Sequence, residues 1–182
     1  MNVAELAALS VENMDDTQLD QAQKAAQKLD AQELGVHFAQ ALVSRPVASE
    51  SDRYATFAYL TQRALASGDL SAALGYVDSG EKHDCEHNQG RRRNDFELRR
   101  AQVLAKQGEA GSAKGVFERL IHRSPDDFRF RAAAAESMLS LKQGSDALRF
   151  AEEGLQLARA KNNRDSEQHF MELAAAARKQ IG

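Results

Sequence analysis

The chain has 182 residues, of which 42% are hydrophobic and only 6% aromatic, with no tryptophan and a single cysteine. This length and apolar content suit one domain or a short array of repeats with a buried core. The net charge of −3 favours neither nucleic acid nor a membrane as a partner, and one cysteine excludes an internal disulfide bond.

The composition predicts an all-α fold. Alanine, the strongest helix former, occurs in runs at 132–135 and 174–177, and the only prolines are Pro46 and Pro125. The β-branched and aromatic residues that cover the faces of a sheet are sparse.

The first residues and the absence of long apolar stretches bear on location. The N-terminal segment 1–6 has no basic residue, which is unlike a secretory signal. No stretch approaches 18 consecutive apolar residues, so no membrane span is predicted and we expect a cytoplasmic protein.

Taken in chain order, a short helix is predicted over residues 2–9, and two later helical tails share one pattern. In each tail an aromatic residue, two apolar residues and a proline stand at offsets of 0, 3, 4 and 8. The members are Phe38, Ala41, Leu42 and Pro46 in the first tail, and Phe117, Leu120, Ile121 and Pro125 in the second. Offsets of 0, 3 and 4 mark one face of a helix, and the proline ends it.

Turn signals recur along the chain at steps of 39, 40 and 36 residues. The predicted turns are Leu29-Asp30, Gly68-Asp69, Gly108-Glu109 and Gly144-Ser145. A small residue lies seven positions before each one, namely Ala22, Thr61, Ala101 and Ser137. Small residues at a constant phase allow two helices to pack closely, so the spacing indicates repeated helix–turn–helix units.

This pattern resembles the tetratricopeptide repeat (TPR), a helix–turn–helix unit with small residues, a turn, an aromatic residue and a proline at set phases. The segments similar to it are 15–48, 54–87, 94–127 and 130–161. The resemblance implies one domain over residues 1–182, a right-handed α-solenoid of about four TPR-like repeats; other α-solenoid helix pairs are the near alternative.

A final helix is predicted over residues 164–181 as a cap for the last repeat, with Asp165 or Ser166 as its N-cap residue. The predicted apolar stripe of this helix comprises Phe170, Leu173, Ala174, Ala177 and Ile181. Segments 45–53 and 84–94 are predicted to be loose links between repeats.

A cluster of potential zinc ligands lies at His83, Cys85 and His87. Alternate positions would face one side of an extended segment, and thiolate and imidazole both bind zinc. Structural zinc sites usually have four ligands in spaced pairs, so a polar loop between repeats is the favoured interpretation. No metal or other cofactor is expected, and no catalytic motif is recognised, so we do not expect an enzyme.

Arginine is concentrated past the middle of the chain. Residues 91–131 contain 11 basic and 6 acidic side chains, whereas residues 1–35 contain 2 basic and 7 acidic ones. Three interpretations stay open: a solvated face paired with local carboxylates, a site for an acidic protein segment, and a nucleic-acid site that combines arginine with phenylalanine.

The resemblance also implies a concave groove lined by the first helix of each pair, where a partner peptide binds. Its groove positions fall on Asp16, Asp20 and Gln23 in the first segment. The partner-binding candidates in the later segments are Tyr59, Gln62, Arg99, Gln102, Lys106, Arg131, Met138 and Lys142.

We therefore expect a protein-interaction scaffold that binds a protein or peptide, with an acidic partner as one possibility, and neither a membrane nor a small-molecule substrate. Two alternatives are a nucleic-acid-associated helical repeat protein that uses the arginine-rich region 91–131 and a secretion-type chaperone.

Overall fold

The computed structural model describes residues 2–47 and 52–182, and within them the fold is all-helical, with no β-strand. This confirms the predicted fold class. The described residues form a short 3-10 helix, Val11–Asn13, and ten α-helices: α1 (Val3–Ala7), α2 (Asp16–Lys28), α3 (Gln32–Val43), α4 (Tyr54–Ser67), α5 (Leu70–His87), α6 (Arg93–Lys106), α7 (Ala110–Arg123), α8 (Phe128–Ser140), α9 (Gly144–Ala160) and α10 (Arg164–Ile181).

The chain divides into two compact units, Met1–Arg93 and Asn94–Gly182. Helices α2 to α9 fall two into each of the four segments singled out by the sequence pattern, and α1 and α10 lie where terminal helices were predicted. The positions of the helices therefore follow the sequence pattern. A single solenoid domain stays a prediction.

Three of the predicted turns lie between helices as expected, and left-handed backbone makes each of them possible. Asp30, Gly68 and Gly108 all have positive φ angles, of 54°, 79° and 84°. Glycine adopts this conformation without steric cost, and aspartate is among the few other residues that tolerate it.

The fourth turn was placed wrongly at Gly144-Ser145. The reversal occurs at Lys142, whose φ is 58°, and Gly144 is already the first residue of α9. A Cβ atom at Gly144 would lie 3.0 Å from Ile181 Cγ1 and 3.4 Å from the Ala177 carbonyl oxygen. This glycine therefore permits the close approach of α9 and α10, which the sequence pattern does not distinguish from a turn.

In unit 1, the residues up to Arg93, α2 and α3 pack through small and aromatic residues. Phe38 and Leu42 of α3 contact a cluster that includes Leu6, Leu19 and Ala22. Alanine on α2 allows the backbones to approach, and the buried leucine and phenylalanine side chains each contribute about 1.5–3 kcal/mol. The short helix α1 is thereby held against α2 through Leu6.

In unit 2, the residues from Asn94 onward, a continuous core joins α6, α7, α8, α9 and α10. The buried aromatic residues Phe117, Phe130 and Phe150 pack among alanines, including Ala134 and Ala174. Helix α10 packs against both α8 and α9, as a capping helix would.

Two details of α10 differ from the sequence prediction. Its N-cap residue is Asn163, whose side chain accepts a hydrogen bond from the Ser166 backbone N–H at 3.0 Å, and is neither Asp165 nor Ser166. Ile181 is 52% exposed, although it was placed on the buried stripe with Phe170, Ala174 and Ala177, which are buried. The last turn of α10 extends past the bulk of the core.

The predicted loose segment 84–94 is instead ordered by one buried carboxylate. Helix α5 continues to His87, and Asp84 accepts hydrogen bonds from Asn88 Nδ2 at 2.8 Å and from the Arg92 backbone N–H at 3.0 Å. A carboxylate with several N–H donors satisfies a turn that would otherwise leave those groups unbonded.

The other predicted link, 45–53, lies partly outside the described residues, at 48–51. Its described ends are anchored by arginines. Arg45 donates a 2.6 Å hydrogen bond to the Val11 carbonyl oxygen, and the buried Arg53 donates to Asp16 at 2.7 Å and to the Arg45 carbonyl oxygen at 2.9 Å.

Candidate partner-binding surfaces

The His83, Cys85 and His87 cluster lies on helix α5, which corrects the expectation of an extended or loop segment. Helical geometry stacks the two histidines one turn apart, with ring centroids 4.8 Å apart, and leaves Cys85 exposed on another face. His83 also lies 5.8 Å from the ring of the buried Phe57. Among the described residues, no three His, Cys, Asp or Glu side chains are grouped to hold a metal ion.

Several arginines of the region 91–131 form ion pairs inside the chain. Arg92 pairs with Asp52 at 2.9 Å, and Arg123 forms a fork with Glu97 at 3.2 Å. Arg129 bridges two acidic residues, Asp127 at 2.7 Å and Asp95 at 3.0 Å.

The Arg129 bridge is reflected in the pKa values of both partners. Partial burial raises the pKa of Asp127, but hydrogen bonds from the side chain and backbone of Arg129 outweigh it and lower the pKa overall. The side-chain hydrogen bond to Asp127 raises the pKa of Arg129, and Asp95 adds to this shift against the effect of partial burial. These arginines therefore offer less positive potential to a polyanion than their number suggests.

Of the three groove residues predicted in the first segment, two carry ion pairs and one is buried. Asp16 pairs with Arg45 and Arg53, and Asp20 pairs with Lys24 one turn along α2 at 2.6 Å. Gln23 is only 4% exposed, and its Oε1 atom accepts no hydrogen bond from any described residue. Burial removes Gln23 from the predicted groove set, whereas Asp16 and Asp20 retain solvent exposure beside their ion pairs.

Tyr59 and Gln62, one turn apart on α4, line a small cleft of about 190 Å³ between α4 and the α2–α3 turn. The Tyr59 hydroxyl donates a long hydrogen bond of 3.4 Å to the Gln32 carbonyl oxygen and lies against Gly35, where a Cβ atom would approach it to 2.3 Å. Partial burial raises the pKa of Tyr59, and the charge of Arg63 opposes that shift. Two of the partner-binding candidates from the sequence therefore lie in one cleft.

A larger neighbouring cleft, of about 370 Å³, is formed by α3, α4 and α5. Its floor is apolar, and its lining includes Val36, Leu60, Ala64 and Ala72. The other lining residues are polar: Gln32 and Glu33 from the start of α3, Arg63 and Ser67 from α4, Asp69 directly before α5, and Tyr76 within α5.

The two clefts share Gln32 and Arg63, which are joined by a hydrogen bond from the Arg63 guanidinium to Gln32 Oε1. The Tyr76 hydroxyl, on the larger cleft, accepts a 2.9 Å hydrogen bond from Gln40 Nε2. An apolar floor with polar side chains around it is the usual anatomy of a binding site.

Sequence reasoning missed the larger cleft because its lining comes largely from second helices and helix starts, whereas the family groove uses first helices. The only cleft residue with a recognisable sequence signal is Asp69, because aspartate directly after a turn glycine is typical of an N-cap residue. Its side chain accepts a hydrogen bond from the Ala72 backbone N–H at 2.9 Å. Nothing in the sequence pattern indicates that Gln32, Arg63 and Tyr76 meet.

In unit 2, three predicted residues share α6. Arg99, Gln102 and Lys106 are spaced three and four residues apart, so they lie along one helix face, with Lys106 exposed and the other two half-buried. They form a polar strip on which a partner could lie.

The partner-binding candidates of the fourth segment fit a groove less well than those on α6. Met138 is wrong as a partner-binding residue, because it is 1% exposed and packs within the core of unit 2. Lys142 lies in the α8–α9 turn and not on a groove helix. The guanidinium of Arg131 donates a 2.6 Å hydrogen bond to the Pro125 carbonyl oxygen and lies 4.0 Å from Glu153, so intramolecular contacts already hold this side chain.

Comparison with known proteins gives no relative: no family model, no curated protein and no solved structure matches this chain. Among the described residues, no helix is both long and apolar enough to cross a membrane.

Proposed function

We propose that this chain is a non-enzymatic protein-interaction module that binds a peptide or a segment of another protein on the surface of its helix pairs. The observation that carries this proposal is the pair of adjoining clefts in unit 1, with Tyr59 and Gln62 in one and an apolar floor in the other. Such clefts hold partner side chains without requiring any reactive group.

The helix pairs support a tetratricopeptide-like array as the framework for this role. The left-handed residues Asp30, Gly68, Gly108 and Lys142 separate the members of successive pairs. We propose that the pairs act as one scaffold over residues 1–182, in which Arg99, Gln102 and Lys106 on α6 add a second contact strip.

A protein partner fits this surface better than nucleic acid does. Binding to a phosphate backbone depends on several unpaired cationic side chains. Here Arg92, Arg123 and Arg129 already bond to carboxylates of the chain, and the clefts of unit 1 contain more acidic than basic side chains.

Site-specific photocrosslinking in the source cells tests the proposal directly. A photoreactive phenylalanine analogue replaces Gln62, which lines the small cleft, or Lys106 on the α6 strip. Ala66, an exposed residue of α4 that lines neither cleft, is the matched control.

We expect light-dependent protein adducts at Gln62, at Lys106 or at both, with the same adduct absent at Ala66. Adducts to nucleic acid, or equal protein labelling at all three positions, would contradict a cleft-directed interaction module.

A further inference from the structure

The larger cleft of unit 1 combines an apolar floor with a small volume, and both limit the ligands that it can bind. Its floor is built from Val36, Leu60, Ala64 and Ala72, and the floor residues Leu60 and Ala64 are buried. A volume of about 370 Å³ lies at the lower end of the roughly 300–1,000 Å³ range of small-molecule pockets. This size suits one or two inserted side chains of a partner and not a whole folded surface.

The charges around the two clefts are unbalanced. Asp30, Glu33 and Asp69 line them, against the single basic residue Arg63. Arg63 donates a hydrogen bond to the neutral side chain of Gln32. Among the described residues, Arg63 forms no ion pair with these three carboxylates. The clefts therefore carry a net negative charge.

Two of the carboxylates that line the larger cleft come from different helix starts. Glu33 belongs to the first turn of α3, and Asp69 is the N-cap residue of α5. Both residues are exposed, and the side chain of Asp69 bonds to a backbone N–H of its own helix. The lining of the cleft therefore offers a cation two exposed carboxylates from separate helix starts.

We propose that this cleft binds a short basic segment of a partner protein, in which one large aliphatic or aromatic side chain enters the apolar floor and a neighbouring lysine or arginine contacts Glu33 or Asp69. This inference rests on the proposed function and adds the chemistry of the partner. It places the anchor between α3, α4 and α5, beside the smaller cleft that contains the groove candidates Tyr59 and Gln62.

Selection from a random 12-residue peptide-display library tests this chemistry, with the full chain as bait. The selected peptides are then labelled, and their affinity is measured by fluorescence anisotropy at low and high salt. Two variants probe the cleft: Ala72→Leu fills the floor, and the double change Glu33→Gln with Asp69→Asn removes charge.

Asparagine caps a helix about as well as aspartate, so the double variant retains the start of α5. Ala66→Leu is the control for the added volume on an exposed helix face. Glu109→Gln is the control for charge, since Glu109 precedes α7 in the corresponding turn and makes no capping hydrogen bond.

We expect enriched peptides that place a large apolar residue within a few positions of lysine or arginine. Ala72→Leu should weaken their binding at least tenfold, and the charge variant about threefold to tenfold at low salt only, because salt screens exposed charges. Both controls should bind like the wild type.

Three outcomes would overturn the proposal: selected peptides that are acidic, selected peptides that bind Ala72→Leu as well as the wild type, and no enriched sequence. Self-association that Ala72→Leu abolishes would also overturn it, because the occupant would then be a second copy of this chain. If photocrosslinking at Gln62 still yields a specific protein adduct, only the assigned chemistry fails and the interaction function stands.

Discussion

Substitution of Gly154 by alanine probes a close contact between α9 and α10. Gly154 lies inside α9 and is buried, and a Cβ atom there would lie 2.2 Å from Cε1 of Phe170 on α10. Phe170 is itself almost fully buried, so its ring has little space into which it can move. Alanine at this position must separate α9 from α10 or force the ring out of its rotamer.

Two opposing effects set the size of the change. Replacing glycine by alanine within a helix stabilises it by about 0.5–1 kcal/mol. Overpacking a tight core costs about 1–3 kcal/mol. Because the clash is with a buried ring and not with a flexible chain end, we take the upper part of that range and expect Gly154→Ala to lower the free energy of unfolding by about 1–2 kcal/mol.

The same substitution at Gly115 is the matched control. Gly115 is also inside a helix of unit 2, but a Cβ atom there would meet only the end of the Arg119 side chain, at 3.8 Å. We expect Gly115→Ala to raise the free energy of unfolding by about 0.5–1 kcal/mol. Urea unfolding followed by far-ultraviolet circular dichroism measures both variants.

A second substitution identifies the clash as the cause. Phe170→Leu alone should cost on the order of 1–2 kcal/mol, because it removes part of a buried side chain. In the Gly154→Ala background it should cost less, with a coupling energy of about 0.5 kcal/mol or more. A Gly154→Ala protein as stable as Gly115→Ala, or additive free energies in the double variant, would refute the α9–α10 contact.

Three further predictions concern the ends and turns of the helices. Asp84→Ala should lower the free energy of unfolding by about 1–3 kcal/mol, because it leaves Asn88 Nδ2 and the Arg92 N–H without their Asp84 acceptor. Urea unfolding measures this effect, and a loss no larger than that of Glu86→Ala, which removes an exposed ion pair, would contradict the role of Asp84. Asp127→Asn keeps the N-cap of α8 but removes a carboxylate whose pKa is lowered in the folded protein. The stability that this carboxylate adds is present above its unfolded pKa of about 4, and it is lost as the pH falls through the lower folded pKa. Thermal unfolding between pH 5 and pH 2 should therefore show a steeper loss for the wild type than for Asp127→Asn, and parallel curves would argue against it. Deletion of residues 164–182 should expose the core face of α8 and α9, and a soluble truncated protein that unfolds as cooperatively as the full chain would contradict the capping role of α10.

Much of the local structure follows from the sequence because its signals act within a few residues. Glycine or aspartate in left-handed backbone ends α2, α4 and α6 close to the predicted turns, and apolar residues at helical spacing place Phe38 and Phe117 in the core. Capping, helix propensity and amphipathic spacing all depend on neighbours along the chain, so the order and approximate bounds of the helices could be predicted.

The errors arose where one residue type serves two purposes. Gly144 resembles a turn glycine but permits close contact with α10, and Lys142 adopts the left-handed backbone of that turn. Met138 occupies a groove phase of the family pattern, yet the packing of unit 2 buries it. Asp84 looked like part of a polar loop, but the fold uses it to hold the turn after α5.

The sequence by itself determined the helical class, the positions of the helix pairs and the opposite charge balance of residues 1–35 and 91–131. Only the tertiary structure decided which charges remain available, since ion pairs such as Arg123–Glu97 join residues far apart in the chain. It also created the cleft between α3, α4 and α5, because its lining meets only after three helices have packed. A periodic pattern specifies which face of a helix is buried, whereas a binding site depends on the gaps left between faces of different helices.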